Sequence, residues 1–227
     1  PEEVPGTMPT NEWSRKKYGH PVLKGDLLSI SIGQGALDST PLQIAQAMAA
    51  VGNRQYLMEA RLTLQIQDYA NNIVDAYDVS RRNLNLHQHS LSVVHKGMWE
   101  VEKGARGTGP KASHDRISVS GKTGTGQWKP ALKQNVAWFA GVAPSEYPVY
   151  SYSVIYEGDP GEKVGGGSKA APIIGSFFKD YLDEDKLVDL QGLSEDIRVE
   201  MAQVIDIPPM SAGSIFIGGA DAAPTTD

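Results

Sequence analysis

The residue types best suited to chemistry lie together at positions 120–127, with the sequence SGKTGTGQ. A lysine flanked by glycines and hydroxyls on a strand can hold an anion, because the ammonium supplies charge and the hydroxyls supply directed hydrogen bonds. Glycines let the backbone of a ligand approach closely, as an added strand would. Simple alternation places Lys122 and Thr123 on opposite faces, so both serve one ligand only if the strand borders an open cleft.

Two other interpretations of this segment exist. A glycine-rich strand with a solvated lysine is the ordinary explanation of a bare Lys-Thr-Gly match. A phosphate-binding loop is the second, since Gly121-Lys122-Thr123 resembles the end of that motif. The motif requires a glycine where Arg116 stands, and it requires a helix after the loop, whereas the residues after Thr125 show no helical pattern. The phosphate loop is therefore rejected.

Three helices are predicted around this strand from apolar spacing and end signals. The first covers residues 40–51, where threonine, proline and glutamine form a capping box with proline at the first helical position. Residues 91–103 form the second, with apolar residues at helical spacing. The third covers residues 170–182. The residues expected on its buried side are Ile173, Ile174, Phe177, Phe178 and Tyr181.

Three strands are predicted over residues 117–125, 136–142 and 149–156. The last two flank the segment APSEYP, which suggests an antiparallel hairpin with a longer loop. Helices combined with an antiparallel sheet indicate an α+β architecture in which the helices pack on the faces of the sheet.

Weaker patterns cover the remaining segments. Residues 1–26 are rich in proline, glycine and charge and are interpreted as a loop. Residues 61–79 are expected to be extended, because leucine and isoleucine alternate with polar residues there. Residues 158–169 form a flexible glycine-rich loop in this interpretation. Residues 183–227 are less regular, and disorder is expected over residues 218–227.

Composition excludes several classes of function. The 227 residues carry a formal net charge of −6, and no block of basic residues marks a nucleic-acid surface. The absence of cysteine excludes disulfides, thiolate metal sites and a cysteine nucleophile. No apolar run is long enough to span a bilayer. The chain opens with Pro-Glu-Glu-Val, without an initiator methionine or a signal peptide, and is interpreted as a fragment or processed product.

Several sequence blocks, in the right order, resemble the transpeptidase domain of penicillin-binding proteins over residues 19–182. The blocks are GD at 25–26, SIGQG at 31–35, TPLQIA at 40–45, GM at 97–98, GT at 107–108, GKTGTGQ at 121–127, AWFAGVAP at 137–144, YEG at 156–158 and AAPI at 170–173. A Lys-Thr-Gly strand is a motif of this family, although Gly126 stands where alanine is commoner. The Gly-Gln-Gly and Ala-Trp-Phe-Ala-Gly forms are most similar to the monofunctional, elongation-type class B enzymes.

The resemblance implies the penicillin-binding and serine β-lactamase-like fold, incomplete in this chain. Residues 1–182 would be the C-terminal part of the transpeptidase domain, and residues 183–227 would be a partly disordered extension. The helices at 40–51 and 170–182 would pack on opposite sides of the sheet. The implied reaction is acyl transfer without cofactor or metal. A serine attacks the D-Ala–D-Ala amide of a peptidoglycan stem peptide, D-alanine leaves, and an amine of a second stem accepts the acyl group; β-lactams trap the same serine.

The resemblance also assigns roles along the strand. Lys122 would supply positive charge near the nucleophile and the substrate carboxylate. The hydroxyls of Thr123 and Thr125 would bind that carboxylate, and Gly124 and Gln127 would complete the substrate-binding segment. The backbone N–H of Thr125 would be one of two oxyanion donors, and losing such a donor typically costs about 10²–10³ in rate.

The family's nucleophile is expected outside this chain. In the family, the Ser-x-x-Lys and Ser-x-Asn elements precede the Gly-Gln-Gly block, whereas no Ser-x-Asn occurs here. Two Ser-x-x-Lys strings begin at Ser14 and Ser176, but neither has the family's position or order, and short patterns of this kind arise often by chance. The chain alone is therefore expected to be inactive.

Three further candidates are weak. His87 and His89 have no acidic or cysteine partner at metal-ligand spacing, so a solvated loop is favoured there. The glycine-rich segment 165–168 lacks the lysine of a phosphate loop and is interpreted as a plain connector. Trp128 could line a substrate groove, although such an aromatic is more often a half-buried packing residue.

The partners suggested by the resemblance are stem peptides, β-lactams, the upstream part of the same domain and other cell-wall synthesis proteins. The location would be the bacterial inner membrane, with the catalytic domain in the periplasm and the anchor outside this chain. Two rival functions stay open. One is a serine β-lactamase or β-lactam sensor of the same fold, and the other is a non-catalytic binding module that kept the anion site.

Overall fold

The computed structural model describes residues 4–63, 65–76, 80–115 and 117–183. Its helices are α1 (Asn11–Tyr18), α2 (Lys24–Ser31), α3 (Pro41–Gly52), α4 (Gln88–Lys103) and α5 (Ala171–Asp183). Its strands are β1 (Tyr56–Met58), β2 (Gln65–Gln67), β3 (Ile73–Ala76), β4 (Arg81–Asn83), β5 (Ser120–Lys129), β6 (Gln134–Ala143) and β7 (Tyr150–Glu157). The extension predicted over residues 183–227 lies outside the described residues, apart from Asp183.

The central sheet has three antiparallel strands in the order β5-β6-β7. The strands predicted at 136–142 and 149–156 are confirmed as β6 and β7, and they form the predicted antiparallel hairpin. The first predicted strand starts at Ser120 rather than at Ile117. Residues 117–119 are buried but do not belong to the strand. Instead, the hydroxyl of Ser118 accepts a hydrogen bond from the backbone N–H of Ser145 at 2.9 Å. Within the described residues β5 pairs only with β6, so its other edge is open.

Helix α5 packs on one face of this sheet. Ile174 and Phe178 are 3% and 2% exposed and belong to a core that includes Ala137 and Phe139 of β6. The prediction was wrong for Ile173 and Phe177, which are 41% and 52% exposed. The apolar face of α5 is broader than its buried face, because the core takes up Ala171, Ile174 and Phe178, which are spaced three and four residues apart.

Helix α3 packs on the opposite face. A Cβ atom on Gly52 would lie 2.9 Å from the Val142 side chain, whereas Phe139, three residues earlier on β6, faces the α5 core. Side chains three positions apart on a strand point to opposite faces. The predicted placement of the two helices on opposite sides is therefore confirmed.

The start of α3 follows its predicted capping box. The backbone N–H of Gln43 donates to Thr40 Oγ1 at 3.2 Å, and the backbone N–H of Thr40 donates to Gln43 Oε1 at 3.0 Å. Its apolar surface is only partly covered in the described part of the chain, since Leu42 is exposed.

Helix α4 leads directly into the strand that carries the lysine motif. The structure begins it at Gln88, three residues before the predicted start, and ends it at Lys103 as expected. Its buried residues have helical spacing; they are Leu91, His95, Met98 and Glu102. The glycine-rich turn after it carries Thr108 towards β5.

Two loop predictions need correction, whereas the extended conformation predicted for residues 61–79 is confirmed by β2 and β3. Residues 1–26 contain α1 and the start of α2, and Thr10 caps α1 by accepting a hydrogen bond from the N–H of Trp13 at 3.1 Å. Residues 61–79 do contain the short hairpin β2–β3, but its alternation buries nothing, because every residue of both strands is exposed. The predicted flexible loop at 158–169 ends in a π-helical turn, Gly166–Ala170.

Candidate active site

Strand β5 presents the predicted site residues at an open sheet edge. Lys122, Thr125 and Gln127 are exposed, and Thr123 and Gly124 are partly buried. The pleat places the two threonines on one face and Lys122 on the other, as the sequence predicted for Lys122 and Thr123. Because the edge is open, a ligand lying along it can reach side chains of both faces.

The backbone of β5 also turns polar groups to this edge. The carbonyl oxygen of Ser120 points towards β6, because a Cβ atom on Gly141 would lie 1.9 Å from it. The side to which N–H and C=O point alternates from residue to residue in an antiparallel strand. The N–H groups of Thr123 and Thr125 therefore face the open edge. A hydrogen bond of Lys122 agrees with this direction. Its Nζ donates to the carbonyl oxygen of Thr123 at 2.6 Å, so that oxygen points to the open edge and not to β6.

The Thr123 hydroxyl has a partner from another element. Its Oγ1 lies 2.7 Å from Oγ1 of Thr108, in the turn between α4 and β5. That turn is fixed by short backbone hydrogen bonds, including one from the N–H of Gly109 to the carbonyl of Val101 at 2.8 Å. Thr108 therefore holds its position through the backbone.

The π-helical turn Gly166–Ala170 packs on the same face of β5. The N–H of Gly166 donates to Thr125 Oγ1 at 3.4 Å. A Cβ atom on Gly166 would lie 2.5 Å from the carbonyl oxygen of Trp138, and one on Gly167 would lie 1.8 Å from that of Thr108. Only glycine permits this approach, so interpreting 165–168 as a plain connector was wrong.

An ion pair holds the segment that leads into this turn. Lys169 Nζ lies 2.6 Å from Glu162 Oε1, and the Tyr156 hydroxyl also donates to the Glu162 carboxylate. The hydrogen bond with Lys169 lowers the pKa of Glu162, and the same hydrogen bond raises the pKa of Lys169. These contacts tie the turn to β7.

The sequence of this chain matches a known family over nearly all of the described residues. The family model of the penicillin-binding protein transpeptidase domain matches residues 1–179. This chain belongs to the penicillin-binding protein transpeptidase family.

Individual relatives agree with the family assignment. The peptidoglycan D,D-transpeptidase MrdA of Haemophilus influenzae is 31% identical over 201 residues, which cover 81% of this chain and 30% of that protein. MrdA of Escherichia coli K12 is 26% identical over 211 residues, covering 83% of this chain and 30% of the relative. This chain thus spans about a third of the length of these relatives. The predicted resemblance to the elongation-type penicillin-binding proteins is confirmed.

Solved structures give the same fold. The crystal structure of PBP2 of Pseudomonas aeruginosa, in complex with WCK 5153, matches 86% of this chain and 41% of its own, with a TM-score of 0.63 and 29% identity. PBP2 of Helicobacter pylori, solved in complex with MreC, matches 82% of this chain and 33% of its own, with a TM-score of 0.64 and 25% identity. The α+β fold class predicted for this penicillin-binding transpeptidase chain is confirmed.

Sequence reasoning missed a buried polar cluster beneath the lysine motif of this transpeptidase chain. Ser120 Oγ donates to Ser145 Oγ at 2.8 Å, and the Tyr152 hydroxyl donates to the carbonyl of Ser120 at 3.1 Å. The Ser118 hydroxyl donates to Glu146, whose pKa is raised by burial. Burial also raises the pKa of Tyr152. The available signal was the alternation of apolar residues and serines along Ile117-Ser118-Val119-Ser120.

Both serines of the Ser-x-x-Lys strings lie on helices. Ser14 is buried in α1, which replaces the charged loop expected there. Ser176 is exposed on α5, on the side away from Ile174. Neither serine belongs to β5 or to the turns at residues 108 and 165–168 that flank its threonines.

The other candidates have ordinary surroundings. His87 is the N-cap of α4 and His89 lies in its first turn, so the expected loop is a helix start. No cluster of three or more metal-ligating side chains occurs among the described residues. Trp128 is 53% exposed, which agrees with the interpretation of a half-buried aromatic. In the described part of the chain, no helix combines the length and the apolarity needed to cross a membrane.

Proposed function

We propose that this chain is the C-terminal part of a peptidoglycan D,D-transpeptidase domain, which cross-links the bacterial cell wall by serine acyl transfer. The observation that carries the proposal is the open edge of β5. That edge combines the Lys122 ammonium, the hydroxyls of Thr123 and Thr125, and outward-facing backbone N–H groups. The family assignment supports the same reaction.

The proposed reaction divides into two acyl transfers. The serine oxygen bonds to the carbonyl carbon of the penultimate D-alanine, the amide C–N bond breaks, and D-alanine leaves as an amine that carries a proton. An amine of a second stem then attacks the ester, and the serine recovers its proton. The nucleophilic serine and its base belong to a part of the domain outside this chain, because neither Ser14 nor Ser176 lies on the proposed site.

In this mechanism the chain binds and stabilises charge. Lys122 contributes a cation at the edge where the substrate carboxylate and the nucleophile meet. The hydroxyls of Thr123 and Thr125 bind the carboxylate, with Gly124 and Gln127 along the same strand. The outward N–H of Thr125 is one oxyanion donor, and such a donor contributes about 10²–10³ in rate to acyl transfer.

The proposed partners follow from the same assignment. They are stem peptides and β-lactams at β5, the upstream part of the domain, and other cell-wall synthesis proteins. The solved complex of Helicobacter pylori PBP2 with MreC supports the last class. The proposed location is the inner membrane, with the catalytic domain in the periplasm. A serine β-lactamase or sensor is disfavoured, because the named relatives are peptidoglycan transpeptidases.

Intact-mass spectrometry with benzylpenicillin tests the proposal. The chain alone should gain no stable adduct, because acylation needs a serine with a base in hydrogen-bond reach. With the upstream segment supplied, an adduct should appear and map to a serine of that segment. An adduct on Ser14, Ser176 or another serine of this chain would contradict the proposal. Absence of labelling in the completed domain would favour the non-catalytic binding module.

A further inference from the structure

Binding of the proposed ligand determines which hydroxyl donates in the hydrogen bond between Thr108 and Thr123. Their hydroxyl oxygens are 2.7 Å apart, and either atom can be the donor in the unliganded chain. A hydroxyl has one proton to donate and two lone pairs that accept. A carboxylate only accepts. If Thr123 donates its proton to a carboxylate, then Thr123 must accept from Thr108.

We propose that Thr108 is a positioning residue, which donates its hydroxyl proton to Thr123 and thereby turns the proton of Thr123 towards the substrate carboxylate. The inference rests on the proposed function of β5 and extends it to a residue outside that strand. Hydrogen-bonded chains polarise one another, so donation by Thr108 also strengthens the bond from Thr123 to the anion.

The second threonine of the site shows the same arrangement. The N–H of Gly166 donates to Thr125 Oγ1 at 3.4 Å, and a backbone N–H has no alternative to donating. Thr125 therefore accepts on the α5 side of the sheet and keeps its own proton for another partner. Both threonines of β5 then meet a ligand as donors, which favours an anion over a neutral amide or ester.

The position of Thr108 does not depend on its side chain. Gly167 packs against the carbonyl of Thr108, since a Cβ atom on Gly167 would lie only 1.8 Å from that oxygen. Gly109, the next residue, packs against Phe139 and Val101. Because these contacts hold the backbone of the turn from both sides, a change from threonine to valine should remove the hydroxyl and leave the turn in place.

The test uses four variants of the protein with a complete transpeptidase domain: Thr108→Val, Thr108→Ser, Thr123→Val and the double variant T108V/T123V. The measurement is the second-order rate of acylation by benzylpenicillin and by its methyl ester, which lacks the anionic carboxylate. Thr108→Val should slow acylation by benzylpenicillin about 10-fold, as expected for a hydrogen bond to a charged group. The rate with the ester should fall less than about 2-fold, and Thr108→Ser should restore the wild-type rate with both.

The double variant separates positioning from a structural effect. If Thr108 acts only through Thr123, the change at Thr108 should cost nothing more once Thr123 is valine. Equal slowing with acid and ester, additive losses in the double variant, or failure of serine to restore the rate would each refute the proposal.

A second measurement keeps this inference separate from the proposed function. An unlabelled wild-type domain would refute the transpeptidase assignment. The Kd of N-acetyl-D-alanine and of its amide, measured by ligand-observed NMR with the same variants, needs no nucleophile. A loss of preference for the acid of about 10-fold in Thr108→Val supports the positioning role, and an unchanged preference overturns it.

Discussion

The carboxylate of Glu146 accepts a hydrogen bond from the hydroxyl of Ser118, although the two residues are 28 positions apart. Both side chains are buried below the first residues of β5. Burial raises the pKa of Glu146 above 4.5; Ser118 and Lys103 oppose this shift, and Glu102 adds to it. The pair ties the loop after β6 to the segment that leads into the lysine motif.

We expect Glu146→Gln to stabilise the domain at neutral pH. A carboxyl whose folded pKa is raised contributes full stability below its unfolded pKa and loses it as the pH rises through the folded pKa. The glutamine amide does not ionise, so this loss of stability at high pH disappears. Its carbonyl oxygen can still accept the hydrogen bond from Ser118. Urea unfolding should show a higher free energy of unfolding for the variant at pH 8 and little difference at pH 4. The exposed-site control Glu59→Gln should show no such pH-dependent gain.

Acid should destabilise the domain through His95. This side chain is 1% exposed, and burial, together with the charge of Arg54, lowers its pKa from 6.5 to about 4. A base with a lowered folded pKa loses stability as the pH falls from the unfolded value to the folded one, here by on the order of 3 kcal/mol. His95→Leu should flatten the dependence of unfolding free energy on pH between 6.5 and 4. If the unfolding free energy of His95→Leu depends on pH as steeply as that of the wild type, a group other than His95 causes the acid sensitivity.

Lys122 and Thr125 should affect acylation and leave folding intact. In a complete domain, Lys122→Ala should slow acylation by benzylpenicillin by about 10²-fold or more, because it removes the cation at the anion site. Thr125→Val keeps the shape of threonine and should weaken reaction with carboxylate-bearing β-lactams by about 10-fold. Lys129→Ala, on the same strand, is the control and should change the rate little. Near-normal rates in the first two variants, with normal thermal unfolding, would refute the assigned roles.

Gly166→Ala should loosen the turn behind β5. The new methyl group would lie 2.5 Å from the carbonyl oxygen of Trp138 and 2.8 Å from backbone atoms of Gly124. Overpacking of this kind typically costs about 1–3 kcal/mol. The matched control is Gly97→Ala on α4, where nothing lies within 4 Å of the added atom. The control should be neutral or stabilising by about 1 kcal/mol, since alanine favours helix.

Local signals explain most of what the sequence predicted about the fold. The capping box at Thr40 and Gln43 needs only residues three positions apart, and it appears in the structure as expected. The hairpin of β6 and β7 likewise follows from two apolar strands around a turn-rich segment. The lysine motif, read together with the ordered blocks around it, was sufficient to indicate the family.

Other features depended on contacts between distant segments. The partial exposure of Ile173 and Phe177 could not be read from the helix, because spacing alone does not say how wide a face the sheet covers. The burial of Glu146 was equally hidden, since its partner Ser118 belongs to a different element.

By itself, the sequence determined the helices α3, α4 and α5, the three-stranded sheet, the fold class and the family of this protein. It also located the strand that carries Lys122, Thr123 and Thr125. Only the tertiary structure decided that this strand has an open edge and that Thr108 and Gly166 meet its hydroxyls from behind. The physical reason is that short hydrogen-bonding and apolar patterns specify local conformation. The direction of a hydroxyl proton and the accessibility of a strand edge depend instead on which distant backbone segments pack against them.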